Sequence, residues 1–199
     1  MRPSTPGRLH IDPLLSSLGK GGRVASFRKN QIIFSQGDRG KSIFYLQKGS
    51  VKLTVTSKRG KEAILAILNA GSFFGENAIA ANRPAYPVNA IALTEVRSLK
   101  IDPEPMLDLI HTDPDICDDI ISSLIAFQLQ MIEKCADNLL YPGNVRLAHA
   151  LSSLAQLHED PELRPVLKLR QQDLANMIGV TRRRVNVLFK WFRRRGQVV

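Results

Sequence analysis

The spacing of apolar residues changes twice along this chain, from a strand-like period to a helical one and then to a compact helical hairpin. From Arg23 to Ile101 the apolar residues come in short runs, such as Gln31-Ile32-Ile33-Phe34, Ile43-Phe44-Tyr45-Leu46 and Val51-Lys52-Leu53-Thr54-Val55. In the last run Val51, Leu53 and Val55 alternate with Lys52, Thr54 and Thr56, the period-two pattern of a strand with one buried face. Turn signals separate the runs at Gly37-Asp38, Lys48-Gly49, Arg59-Gly60, Ala70-Gly71 and Phe74-Gly75. Many short strands joined by tight turns predict a β-sandwich or a jelly-roll barrel.

A helical period begins at Asp113-Pro114, where Asp is a good N-cap and Pro suits the first turn. Ile116, Ile120, Leu124, Phe127 and Met131 follow at spacings close to a heptad seam. The pattern runs past Ile132 and Cys135 and breaks at Tyr141-Pro142-Gly143. A single helix this long with one apolar stripe needs a partner. The expectation is a homodimer with Ile116, Ile120, Leu124, Phe127 and Met131 in its interface.

From Asn144 onward the chain predicts a small helical unit. Val145, Leu147, Ala148, Leu151, Leu154 and Ala155 form one amphipathic helix, and a polar linker with prolines runs from His158 to Pro165. Two short helices follow. Leu174, Ala175, Ile178, Gly179, Val180, Val185 and Leu188 occupy the apolar or small positions of a helix-turn-helix. Ala175 must be small where the second helix crosses, Gly179 suits the turn, and Thr181 is a natural N-cap. On a wheel of the second helix Val185, Leu188, Phe189 and Phe192 face inward. Arg183, Asn186, Val187 and Lys190 face outward, with Arg182 at the N-terminal lip. Such a face enters the major groove, where Arg can bond guanine bidentately and Asn adenine. Arg182, Arg183, Asn186, Val187 and Lys190 are therefore the expected base contacts. Arg170, Gln171, Gln172 and Thr181 are the expected phosphate contacts, which set register rather than sequence.

Charge agrees with this reading. The formal net charge is +10, and the stretch from Lys168 to Val199 carries nine basic residues against Asp173 alone. A local basic field attracts polyanions, because phosphate contacts release condensed counterions. The two cysteines, Cys117 and Cys135, are too far apart on one helix for a disulfide, and no CxxC or Cys/His cluster suggests a metal. The first twenty residues have no signal-peptide core, and no apolar run is long enough to cross a bilayer, so a cytoplasmic protein is expected.

Taken together, the segments "IIFSQGDRGKSIFYLQKGSVKL" and "GSFFGENA", the long helix and "LRQQDLANMIGVTRRRVNVLFKWF" resemble the CRP/FNR family of bacterial transcription factors, over nearly the whole chain. The resemblance implies an α+β fold. A cyclic-nucleotide-binding-like β-roll (jelly roll) would occupy residues 1–112, a dimerisation helix 113–141, and a winged helix-turn-helix 142–199. It also implies homodimers on palindromic double-stranded DNA, and RNA polymerase as a partner.

In cyclic-nucleotide members of the family, Gly-Glu and then Arg with Ser or Thr form a phosphate cassette. Here Gly75-Glu76 matches, but Pro84 and Ala85 stand at the Arg and Ser places, and Arg83 falls one place early. Gly75, Glu76, Arg83 and Ala85 are the candidate effector residues. The missing guanidinium and hydroxyl argue against cyclic AMP or GMP, because a buried phosphate would lack its charge partner. No cofactor is assigned with certainty. No cysteine precedes Cys117, as an N-terminal iron–sulfur cluster would require, and the histidines at 10, 111, 149 and 158 are scattered. The reading helix departs too, with Arg183 where many relatives carry Glu and Val187 where many carry Arg.

The alternative to a DNA-binding regulator is a small-molecule sensor with DNA binding as its output. A cupin-like enzyme needs metal ligands on the barrel strands, and no histidine lies between Val24 and Asp102. No catalytic arrangement and no metal site is expected.

Overall fold

The computed structural model describes residues 21–80, 82, 84–156 and 169–194. Arg83, the linker from His158 to Pro165 and the expected wing lie outside the described residues. Eight strands form first: β1 (Gly22–Phe27), β2 (Ile32–Phe34), β3 (Ile43–Lys48), β4 (Ser50–Thr56), β5 (Glu62–Asn69), β6 (Phe73–Phe74), β7 (Asn89–Ala92) and β8 (Val96–Ile101). They make two four-stranded antiparallel sheets, in the orders β1-β8-β3-β6 and β2-β7-β4-β5. This is the expected jelly roll. Its interior is apolar and aromatic, with Phe34, Phe44, Leu46, Val51, Leu53, Phe74, Tyr86 and Val96 buried together.

Five described helices follow: α1 (Pro103–Thr112), α2 (Pro114–Leu140), α3 (Gly143–Gln156), α4 (Gln171–Ile178) and α5 (Arg182–Arg194). The apolar periodicity did not single out α1, a short helix that buries Met106 and Leu109 against the first sheet. Helix α2 starts where expected. The Asp113 carboxylate accepts from the backbone N–H of Asp115 and Ile116 at 3.1 and 3.3 Å.

The predicted dimer stripe needs correction. Ile116 and Ile120 are only 4 % exposed, packed with Ile43, Tyr45, Leu99 and Ile101 of the same chain. Phe127 and Met131 lie against the roll's interior core. Only Leu124 of the five is exposed. The roll is the partner of Ile116 and Ile120, and it covers part of Phe127 and Met131. A second apolar stripe, rotated by about 130° on the helix wheel, carries Ile121, Ile125, Leu129 and Ile132. It stays in solvent, with Ile132 at 56 %. Lys134 reinforces the intrachain packing. Its ammonium donates to the carbonyls of Ile64 and Leu65 at 2.7 and 2.9 Å, beside the bulge where β5 slips against β4.

The half-buried reading of β4 also changes. Val51 and Leu53 face the core as expected, but Lys52 and Thr54 on the other face are buried as well. Helix α4 covers that face. Ile64, Ile67 and Leu93 of the roll share one core with Leu147, Leu174, Ala175, Ile178, Val185 and Leu188 of the helical unit. Within this contact the Lys52 ammonium donates to Asp173 at 3.0 Å and to Glu62 at 3.4 Å. Asp173 also accepts from the Arg170 guanidinium at 3.1 Å. Asn176 donates to Glu62 at 3.0 Å. At the joint between α2 and α3, Arg146 donates to Asn138 at 2.8 Å, and His149 meets Asp137 at 3.0 Å.

The Lys52–Asp173 pair is buried on both sides, so removing one partner strands a charge away from water. Asp173→Ala is expected to cost about 3 kcal/mol in chemical denaturation, the low end for such a loss because Glu62 stays near Lys52. The Lys52→Met/Asp173→Leu double variant should recover most of it. A single variant as stable as the parent would show that the pair does not hold the two units together. Hydrogen bonds from Arg170 and Lys52 outweigh burial and hold the Asp173 carboxyl below its ordinary 3.8. A depressed acid stabilises the fold above its unfolded pKa and loses that contribution as pH falls through the folded value. Asp173→Asn should therefore remove a component of acid destabilisation that lies below pH 3.8.

Candidate nucleic-acid interface

Helices α4 and α5 form the helix-turn-helix. Gly179 closes α4 with φ of 68°, a left-handed conformation that a Cβ would strain. The Thr181 hydroxyl accepts from the Arg184 N–H at 3.2 Å, capping α5 as its sequence predicts. Ala175 is fully buried at the crossing, and Val185, Leu188 and Phe192 fill the inner face of α5, with Phe189 partly buried. The apolar side of the reading helix is therefore seated in a core that includes the β-roll.

Its opposite side is open. Arg182, Arg183, Val187 and Lys190 are exposed, and Asn186 is partly exposed. Among the described residues no carboxylate pairs with Arg182, Arg183 or Lys190. The guanidinium and ammonium groups are therefore presented to solvent with their donors unspent. Trp191 lies beside Phe192 at the edge of this face, with ring centroids 5.2 Å apart in an edge-on arrangement.

The proposed phosphate-contact residues divide into two sets. Gln171, Gln172 and Thr181 are exposed along the α4 edge and the turn. Gln172 donates to Asn176 at 2.8 Å, which links it through Asn176 to Glu62 of the roll. Arg170 is different. Its guanidinium is folded back onto Asp173, and that hydrogen bond and charge raise its pKa further. What sequence reasoning missed here is the role of Asp173. It is the one acid in a basic segment, and that isolation is the signal that could have marked it as having a buried partner.

Of the candidate effector residues, Gly75, Glu76 and Ala85 are described and Arg83 is not. Gly75 has φ of 81° and opens a 3₁₀ turn, Glu76–Ile79. Burial pushes the Glu76 carboxyl above its ordinary 4.5, while the backbone N–H groups of Glu76 and Gly75 pull the other way. Ala85 pairs with Arg39 in an isolated bridge. A Cβ at Gly40 would meet the Pro84 carbonyl at 3.0 Å, so this segment lies tight on the neighbouring backbone. Tyr86 then turns into the roll and stacks on Phe34 with ring centroids 3.9 Å apart. Its hydroxyl donates to the Ser42 carbonyl at 2.6 Å and accepts from the backbone N–H of Ser42 and Lys41. Phe127 and Met131 of α2 pack against the same core. Two residues with exposed basic side chains border this turn: Arg39, whose backbone bridges to Ala85, and Lys41, whose N–H donates to the Tyr86 hydroxyl. Among the described residues no metal-ligating cluster occurs, and no helix is long and apolar enough to cross a membrane.

Comparison with known proteins follows this division. The family model for the cyclic nucleotide-binding domain matches residues 24–113, and that for the Crp-like helix-turn-helix domain matches residues 145–199. The CRP-like cAMP-activated global transcriptional regulator of Mycobacterium tuberculosis is 26% identical over 187 residues, covering 92% of this chain and 83% of that protein. The cAMP-activated global transcriptional regulator CRP of Salmonella typhimurium is 27% identical over 188 residues, covering 92% and 89%. Among solved structures, the c-di-GMP responsive global regulator CLP of Xanthomonas campestris superposes with a TM-score of 0.77 at 19% identity, covering 93% of each chain. A CooA mutant from Carboxydothermus hydrogenoformans gives 0.74 at 21% identity, covering 98% of this chain and 88% of the other. The β-roll, the long helix and the cored helix-turn-helix with an open basic face together place the chain in one group: it belongs to the CRP/FNR family of DNA-binding transcription regulators.

Proposed function

We propose that the chain acts as a homodimer that reads palindromic double-stranded DNA and controls transcription by RNA polymerase in the cytoplasm. The division of labour follows residues 1–112 as the effector domain, 113–141 as the dimerisation helix and 142–199 as the reading domain. The observation that carries this reading is the exposed, unpaired face of α5. Arg182, Arg183, Asn186, Val187 and Lys190 meet base edges, and Gln171, Gln172 and Thr181 hold phosphates. Arg170 joins them through the guanidinium N–H groups that its bonds to Asp173 leave over, on a side chain that is 72 % exposed.

The second copy docks on the exposed α2 stripe. Ile121, Leu124, Ile125, Leu129 and Ile132 form a seam that the β-roll leaves uncovered. Two such helices side by side bury it from both copies, as in a parallel coiled coil. The effector reading is narrower. The relatives named above are cAMP-activated, whereas here Pro84 and Ala85 stand where the cyclic-nucleotide cassette has Arg and Ser, so control by an effector other than cyclic AMP is the reading kept.

Three measurements test these statements. Selection of binding sites from random duplex DNA should yield a palindrome, and adding cyclic AMP or cyclic GMP should leave the affinity for it unchanged. A large gain with either nucleotide would restore the cyclic-nucleotide reading. Arg183→Ala should relax preference at one base pair of each half-site by about 1–3 kcal/mol. An equal loss on every sequence would assign Arg183 to phosphate instead. Ile125→Asp and Ile132→Asp should sediment as folded monomers and lose palindrome binding, because each puts a charge into the seam. A variant that stays dimeric would move the interface elsewhere.

A further inference from the structure

The hairpin between β4 and β5 carries a second basic surface that the reading head does not account for. Its tip runs Ser57-Lys58-Arg59-Gly60-Lys61, and all five residues are exposed. The tip is internally braced. The Ser57 N–H donates to the Lys61 carbonyl at 2.9 Å, the Gly60 N–H donates to the Ser57 carbonyl at 2.9 Å, and the Lys61 N–H donates to the Ser57 hydroxyl at 3.1 Å. Three cations are therefore held within four residues of a defined turn. Among the described residues none of them is paired with a carboxylate. The adjacent acid, Glu62, is already engaged by Lys52 and Asn176.

The position of this tip matters more than its charge. Glu62, the first residue of β5, bonds Asn176 of α4, and Asn176 accepts from Gln172 on the same helix. A continuous line of contacts thus runs from the proposed phosphate-holding edge of α4 to the hairpin. A solvated basic loop could stand anywhere on the roll. This one stands beside the helix that approaches the DNA backbone, with its mutual repulsion unrelieved by any acid.

We infer that Lys58, Arg59 and Lys61 form an auxiliary phosphate-binding surface that engages the DNA backbone next to the stretch read by α5. The inference rests on the DNA-binding function proposed above. The contact carries no sequence information, since it meets only phosphate. Its signature is salt dependence, because each phosphate contact contributes about 0.9 to the slope of log K against log salt.

The test uses the full chain and mixed-sequence duplex DNA, titrated by fluorescence anisotropy between about 50 and 200 mM salt. The variant K58Q/R59Q/K61Q is compared with R23Q/K48Q/R97Q, which removes the same charge from exposed positions on the other sheet. The hairpin variant is expected to lower the salt slope by about 2 to 3 and to weaken binding at least about tenfold at 0.1 M salt. The second variant should show only the smaller loss that net charge produces at a distance. Equal losses in the two variants, or none in the hairpin variant, would overturn the inference and leave the tip as a surface for an acidic protein. Wild-type protein that binds no duplex at any salt would instead overturn the DNA-binding function itself.

Discussion

Packing of α2 against the β-roll is the interaction on which the remaining geometry depends. Ile116 and Ile120 enter the core behind the first sheet, and Phe127 and Met131 rest on the roll's own interior. Full burial of each such side chain is worth about 1.5–3 kcal/mol, so this face is not free to turn away. Once it is fixed, the second apolar stripe must point outward. One helix thereby serves two partners, the roll on one side and, in the proposed dimer, its own copy on the other. The same anchoring sets where α3 begins, through Arg146 on Asn138 and His149 beside Asp137.

A second set of contacts fixes the reading head against the roll. Lys52 lies in a strand face that would be solvent-exposed if the helical unit were elsewhere. Its burial is tolerable only because Asp173 and Glu62 meet it. A buried pair of this kind contributes more to geometry than to net stability, since desolvation cancels much of its attraction. Here it joins an acid in the helix-turn-helix to a base in the β-roll, within a core shared by both. Any effector that shifts β4 or β5 would therefore act directly on α4.

The roll carries the family architecture on a packed aromatic and aliphatic interior. Gly75 and Glu76 retain the turn, with the left-handed glycine that the backbone needs. Beyond that turn Pro84 lies tight on Gly40, Ala85 bridges to Arg39, and Tyr86 is tied to Ser42 inside the core. The fold survives because strand pairing and core volume do not depend on ligand chemistry.

Much of this protein was determined by sequence alone, wherever the physics is local. The strand and helix periods, the Asp113 and Thr181 caps, and the apolar and small positions from Leu174 to Leu188 each follow from neighbours a few residues apart. So does the outward face of α5, because a wheel needs only the helical repeat. Tertiary structure decided the rest. Which stripe of α2 meets the roll could not be read from spacing, because Ile116 and Ile120 and the exposed Ile121 and Ile125 repeat with the same period. The partner of Lys52 lies 121 residues away, and its strand looked half-exposed until α4 arrived to cover it. The inward turn of Tyr86 and the nearness of the basic hairpin to α4 are likewise facts of packing. Burial belongs to what the rest of the chain brings to a residue, and only the folded chain settles that.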